Sequence, residues 1–101
     1  MGHCPFDKLD DLGDIFAEIR SWPDVREPAP GVFYLKRMPF LHFHLDRHGR
    51  RWADIRDGAE WGAEVDLPLT ASVAARRRFL REARGRYART AGLSRPSSGR
   101  R

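Results

Sequence analysis

The chain has 101 residues, of which 41% are hydrophobic and 33% charged. That is enough for one modest core and too little for a catalytic domain with a separate substrate lobe. No apolar run approaches the roughly 20 residues of a membrane span, the N-terminus lacks the pattern of a secretory signal, and the single cysteine, Cys4, excludes an internal disulfide or a multi-thiolate zinc site. The net charge of +5 is divided unevenly: residues 1–70 carry nine Lys/Arg against thirteen Asp/Glu, and residues 71–101 carry ten Arg against one Glu. An acidic body is thus followed by a basic C-terminal segment. A cytoplasmic protein with no membrane partner is expected.

At the start, His3 and Cys4 are expected to fray with the N-terminus. Phe6, Leu9, Leu12, Ile15, Phe16 and Ile19 then recur at spacings of three and four, which predicts an amphipathic helix over about 6–20. Gly13 is the point at which a first turn would split off. Trp22-Pro23 ends the helix, because the residue before proline is pushed out of helical geometry. Residues 24–30, D-V-R-E-P-A-P, read as an extended connector whose two prolines contribute little to a sheet.

Four strands are predicted after Gly31, over 32–37, 40–45, 52–57 and 61–67. The turns between them fall at Met38-Pro39, at residues 47–50 and at residues 58–60, which gives an antiparallel meander. Thr70 is placed as the N-cap of a final helix over about 71–88, with Val73, Phe79, Leu80, Ala83 and Tyr87 on one side. Residues 1–91 form one domain in this reading, and 92–101 a disordered basic tail. The fold class is α+β: a four-stranded antiparallel sheet with an N-terminal and a C-terminal helix packed on one face.

Apolar parity selects the covered face: Phe33 and Leu35, Leu41, Phe43 and Leu45, Ala53 and Ile55, then Ala63, Val65 and Leu67. The open face receives Tyr34, Lys36, Phe40, His42, His44, Trp52, Asp54, Arg56, Glu64 and Asp66. Partners across neighbouring strands must share a face. The central hairpin therefore sets His44 opposite Asp54 with His42 opposite Arg56, or His44 opposite Trp52 with His42 opposite Asp54. In both registers Asp54 stands beside a histidine.

Three kinds of chemistry are open to these residues. The face bearing Tyr34, His42, His44, Trp52, Asp54 and Arg56 suits ligand binding or a protein partner, a second copy included: Tyr34, Trp52 and Phe40 supply apolar walls, His44 and Asp54 a polar centre, and Arg56 an anion contact. His42 and His44, at i and i+2, could share zinc with Asp54, Asp46 or Glu64 as a third ligand. Arg76, Arg77, Arg78, Arg81, Arg84, Arg86 and Arg89 concentrate positive charge for nucleic-acid phosphates along the last helix.

Other patterns do not hold. The string from His42 to His48 departs from the H-x-H-x-D-H metal motif by the extra Arg47. A third alternating histidine, as in the histidine-triad hydrolases, would fall at position 46, where Asp46 stands. No serine lies in a G-x-S-x-G elbow, and no glycine-rich phosphate loop occurs.

The segments W-P-D-V at 22–25, V-F-Y-L at 32–35, F-L-H-F-H-L-D at 40–46 and W-A-D-I-R at 52–56 resemble those of a group of small uncharacterised bacterial α+β proteins with an R-R-x-F-L closing helix. The resemblance covers about residues 15–88 and implies a fold rather than an activity. More remotely, His42, His44, Gly49, Ala53 and Asp54 are similar to the H-x-H strand, glycine turn and A-D strand of the luciferase-like domain family. The helix followed by P-x-V and a meander resembles the YjbR-like, or MmcQ-like, family, which implies a DNA-binding role. From the residues together, the expectation is a small binding or interaction module working through the histidine face, leaning away from an enzyme. Nucleic-acid binding through the arginine helix stands second and a metal-dependent enzyme third.

Overall fold

The structure, a computed structural model, describes residues 4–94. The three-and-four spacing near the N-terminus does form a helical segment, in two geometries: a 3-10 helix over Phe6–Leu12, then α1 over Gly13–Arg20. The change falls at Gly13. Leu9, Leu12, Ile15, Phe16 and Ile19 are buried, and α1 stops where the Ser21 hydroxyl donates to the Glu18 carbonyl at 2.6 Å. Cys4 does not fray: it is buried, its N–H donates to the Phe43 carbonyl at 3.0 Å, and burial pushes its thiol pKa up. His3 lies outside the described residues.

Six strands follow: β1 Val25–Ala29, β2 Val32–Leu35, β3 Met38–Leu45, β4 Arg51–Asp57, β5 Glu60–Trp61 and β6 Val65–Asp66. They form one antiparallel sheet in the order β1-β2-β3-β4-β5, with β6 also paired to β4. Two departures from the expected four strands have identifiable physical causes. The proline-bearing connector is itself the edge strand β1, its register interrupted between Arg26 and Ala29, so Pro28 falls at an irregularity on an edge, where its missing N–H is tolerated.

The expected strand at 61–67 is broken in two by Arg86. This side chain, 6% exposed, donates from Nη1 to the carbonyls of Ile55 and Ala63 at 3.1 and 2.9 Å. A Cβ at position 62 would stand 2.5 Å from Arg86 Nη1, so glycine is what admits the guanidinium there. Beyond the break Ala63 is exposed, Val65 half-buried and Leu67 buried, so only Leu67 fully keeps its expected core place.

The β2–β3 connection also differs from expectation. The turn residues are Lys36 and Arg37, with Lys36 in the left-handed region at φ 59°, and Met38 and Pro39 already belong to β3. Between Phe33 and Tyr34 the partner on β3 jumps from Leu41 to Pro39, so Phe40 is the extra residue of a β-bulge. The bulge turns Phe40 into the core beside Leu41, fully buried, with its ring edge-on to Tyr87 at 6.1 Å. Phe40 is therefore no part of the open face.

The last helix, α2, spans Val73–Ser94, so it runs past the point where a tail was expected to begin, and residues 95–101 lie outside the described residues. Ser72, not Thr70, caps it: the Ser72 hydroxyl accepts from the Ala75 N–H at 3.1 Å, while Thr70 is in a turn at φ 57°. Val73 is 55% exposed, and the inward stripe is Phe79, Ala83, Arg86, Tyr87 and Thr90. Both helices cover the same sheet face, as expected. Phe16 meets Phe33 and Phe43 at 5.5 and 5.7 Å, and Phe79 stacks on Phe43 at 5.5 Å. No helix among the described residues is long and apolar enough to cross a membrane.

Candidate functional site

With Leu41, Phe43, Ala53 and Ile55 buried, strand alternation leaves His42, His44, Trp52 and Asp54 facing away from both helices. Of the two registers compatible with that parity, the structure has Leu41 paired with Ile55, His42 with Asp54, Phe43 with Ala53 and His44 with Trp52. Asp54 is thus directly opposite His42 and diagonal to His44. Its Oδ2 stands 2.9 Å from His44 Nε2, an ion pair whenever the ring is protonated, with the two side chains 31% and 17% exposed. One ligand atom from each of His42, His44 and Asp54 can be chosen so that all three lie within 4.8 Å of one another.

Rings continue on both sides of this cluster. Trp52 stacks on His44 at 5.2 Å, the two imidazoles meet edge to face at 4.6 Å, and Trp61 from β5 meets His42 edge-on at 5.0 Å. Arg50 lies over Trp52 at 4.4 Å and Arg56 over Trp61 at 4.7 Å. A row of four rings, Trp52, His44, His42 and Trp61, therefore crosses the open face with a guanidinium at each end. The Trp52 indole N–H is enclosed with no acceptor among the described residues.

The two guanidiniums are committed elsewhere. Arg50 donates to Glu64 at 2.8 Å and to Asp66 at 2.7 Å, which cancels its charge locally. Arg56 donates from Nε to the Pro39 carbonyl at 2.8 Å and from Nη1 to the Ala59 carbonyl at 3.1 Å, so it ties β3 to the turn before β5 more than it offers an anion contact. What the face presents is π surface, imidazole nitrogen and one carboxylate.

Of the six residues expected on this face, His42, His44, Trp52 and Asp54 come together and Arg56 borders them. Tyr34 stands apart: the bulge sets it opposite Pro39, and Arg26 covers its ring at 5.4 Å. The other two carboxylates considered as zinc ligands are also engaged. Asp46 accepts from the N–H groups of Arg50 and His48, both at 2.9 Å, and these bonds hold its pKa below the usual carboxylate range; Glu64 pairs with Arg50. Arg50 was hidden in the expected turn, although it continues the outward parity of Trp52, Asp54 and Arg56.

The arginines of α2 divide into two groups. Arg86 is buried, as described. Arg76 binds Asp14 at 3.0 Å, Arg84 lies 3.6 Å from Glu18 and over Trp22, and Arg89 binds Asp57 at 2.6 Å. Arg77, Arg78 and Arg81 are exposed and make no ion pair among the described residues. Of the seven arginines expected to meet phosphates, these three carry no competing ion pair among the described residues.

In comparison with known proteins, no family model matches the chain, and neither a curated protein nor a solved structure matches it.

Proposed function

We propose that the protein is a binding module whose working surface is the open face of its sheet, centred on His42, His44 and Asp54 and walled by Trp52 and Trp61. The observation that carries this reading is the four-ring row. Two tryptophans and two histidines lie side by side on a face that neither helix covers, with Trp61 42% exposed. Large aromatics left on a rigid sheet offer contact area at low conformational cost, and the carboxylate and imidazoles among them supply orientation. The acidic partners of Arg50 remove its charge from the rim, so attraction by bulk charge is not the principle of this surface.

A native mass spectrum of the tag-free protein as purified tests the reading. The expected result is a dimer, or a retained ligand mass, that disappears in both His44→Ala and Trp52→Ala while each variant keeps the wild-type circular dichroism spectrum. A bare monomer for all three proteins overturns it and moves attention to the exposed arginines of α2.

A further inference from the structure

The chemistry of the open face can be narrowed, resting on the reading just proposed. We infer that His42, His44 and Asp54 form a binding site for one divalent first-row transition ion, with zinc as the reference member, and leave at least one coordination position facing solvent.

Donor type comes first. Two imidazole nitrogens and one carboxylate oxygen match zinc and its neighbours, whereas magnesium and calcium prefer all-oxygen sets. Geometry agrees. With bonds of about 2.0–2.1 Å, the donors of a tetrahedral zinc ion stand about 3.3 Å apart. His44 Nε2 and Asp54 Oδ2 are 2.9 Å apart, and the widest separation within the triad is no more than 4.8 Å. A side-chain shift of about 1.5 Å would bring a pair at that upper bound to the tetrahedral spacing.

The scaffold is also suitable. His42 and His44 are i and i+2 on β3, and Asp54 is the cross-strand partner of His42 on β4, so all three are fixed by a continuous ladder whose reverse side is the core. Trp52 against His44 and Trp61 against His42 restrict both rings. The ion would enter between His44 and Asp54 and take the place that a proton holds when that pair is charged. Each entering ion would therefore release any proton bound there, with no change of oxidation state. Three protein ligands leave the fourth position to water or to an anionic group of a partner.

The test is a titration of the metal-free, full-length protein with zinc chloride, followed by calorimetry and by tryptophan fluorescence, which Trp52 and Trp61 make sensitive to this face. Saturable one-to-one binding is expected, weakened at least tenfold by His42→Ala and by Asp54→Asn, and unchanged by His48→Ala, which alters an exposed turn histidine. Asp54→Asn preserves side-chain size and keeps the test valid if His42→Ala perturbs the fold. Equal affinity in all four proteins, loss that follows His48 alone, or no saturable binding overturns the site. If zinc does not bind but the wild-type protein retains a dimer or an organic ligand that His44→Ala loses, the metal inference fails alone. If that retention is also missing, the binding-face reading fails with it.

Discussion

Arg51 and Asp11 are joined by two parallel hydrogen bonds, Nη1 to Oδ1 at 2.7 Å and Nη2 to Oδ2 at 2.9 Å, with the arginine fully buried. The remaining guanidinium donors go to the carbonyls of Leu67 at 2.7 Å, Lys8 at 2.7 Å and Pro68 at 2.8 Å, so all five are used. One side chain thereby ties β4 to the 3-10 helix and to the segment after β6. Asp11 also accepts from the Ala71 N–H at 2.8 Å, which extends the tie toward α2. Removing one member leaves a buried charge uncompensated and costs about 3–5 kcal/mol. Urea unfolding of Asp11→Ala at neutral pH should show a loss of that size, and a loss below about 1 kcal/mol would mean that the pair is solvated.

The same pair predicts an acid limb. Hydrogen bonding from Arg51 holds the Asp11 carboxyl down to about 2, from an ordinary value near 3.8. A carboxylate depressed in the folded state contributes stability that is present above its unfolded pKa and is lost as pH falls through its folded one. Wild-type stability should therefore decline between about pH 4 and pH 2 in part through this group. Chemical denaturation at stepped pH should show that decline to be shallower in Asp11→Asn, which starts from a lower plateau. Parallel curves for the two proteins would assign the acid limb to other carboxylates.

Phe40 distinguishes the bulge from a regular strand. In unbroken alternation it would share a face with His42, and Phe40→Ala would remove a solvent-facing ring at little cost. With the ring buried against Tyr87, truncation leaves a cavity and should cost about 3–5 kcal/mol in urea. Tyr34→Ala, on the other face under Arg26, should cost less than half as much. Similar losses for the two variants would count against the bulge.

The layer order, both helices on one face and the outward parity of His42, His44, Trp52 and Asp54 were legible because period-two and period-3.6 patterns report burial directly. The misses in the core share a physical source, which is that partners distant in sequence override local pattern. Phe40 obeyed alternation in sequence, but a one-residue bulge moved it to the core. Arg51 has core parity beside Ala53 and Ile55, yet a charged residue reads as solvent-facing until Asp11 and three carbonyls, two of them at Leu67 and Pro68, are known to converge on it. Arg86 looked like one more cation on a basic helix, and its burial depends on the gap at Gly62, distant in sequence. Trp61, by contrast, was legible as an extension of the open-face patch from the turn, and the pairing of β5 with β4 sets it against His42.

The arginine helix makes a prediction that counts charges. Each phosphate contact adds about 0.9 to the slope of log K against log salt for duplex DNA. Seven free arginines would supply a slope near 6, whereas Arg77, Arg78 and Arg81 alone supply no more than about 3. In anisotropy titrations of the full chain against a labelled duplex at several salt concentrations, replacing these three by alanine should lower any slope by at most about 3, with unfolding unaffected. Arg86→Ala should do the reverse: it strands the carbonyls of Ile55 and Ala63 and frees Glu82, now 2.7 Å from Arg86, so it should cost stability and leave the slope in place. A slope that falls with Arg86→Ala in a folded protein would show that this guanidinium leaves its buried seat to meet phosphate, and the division of α2 into structural and free cations would then be wrong.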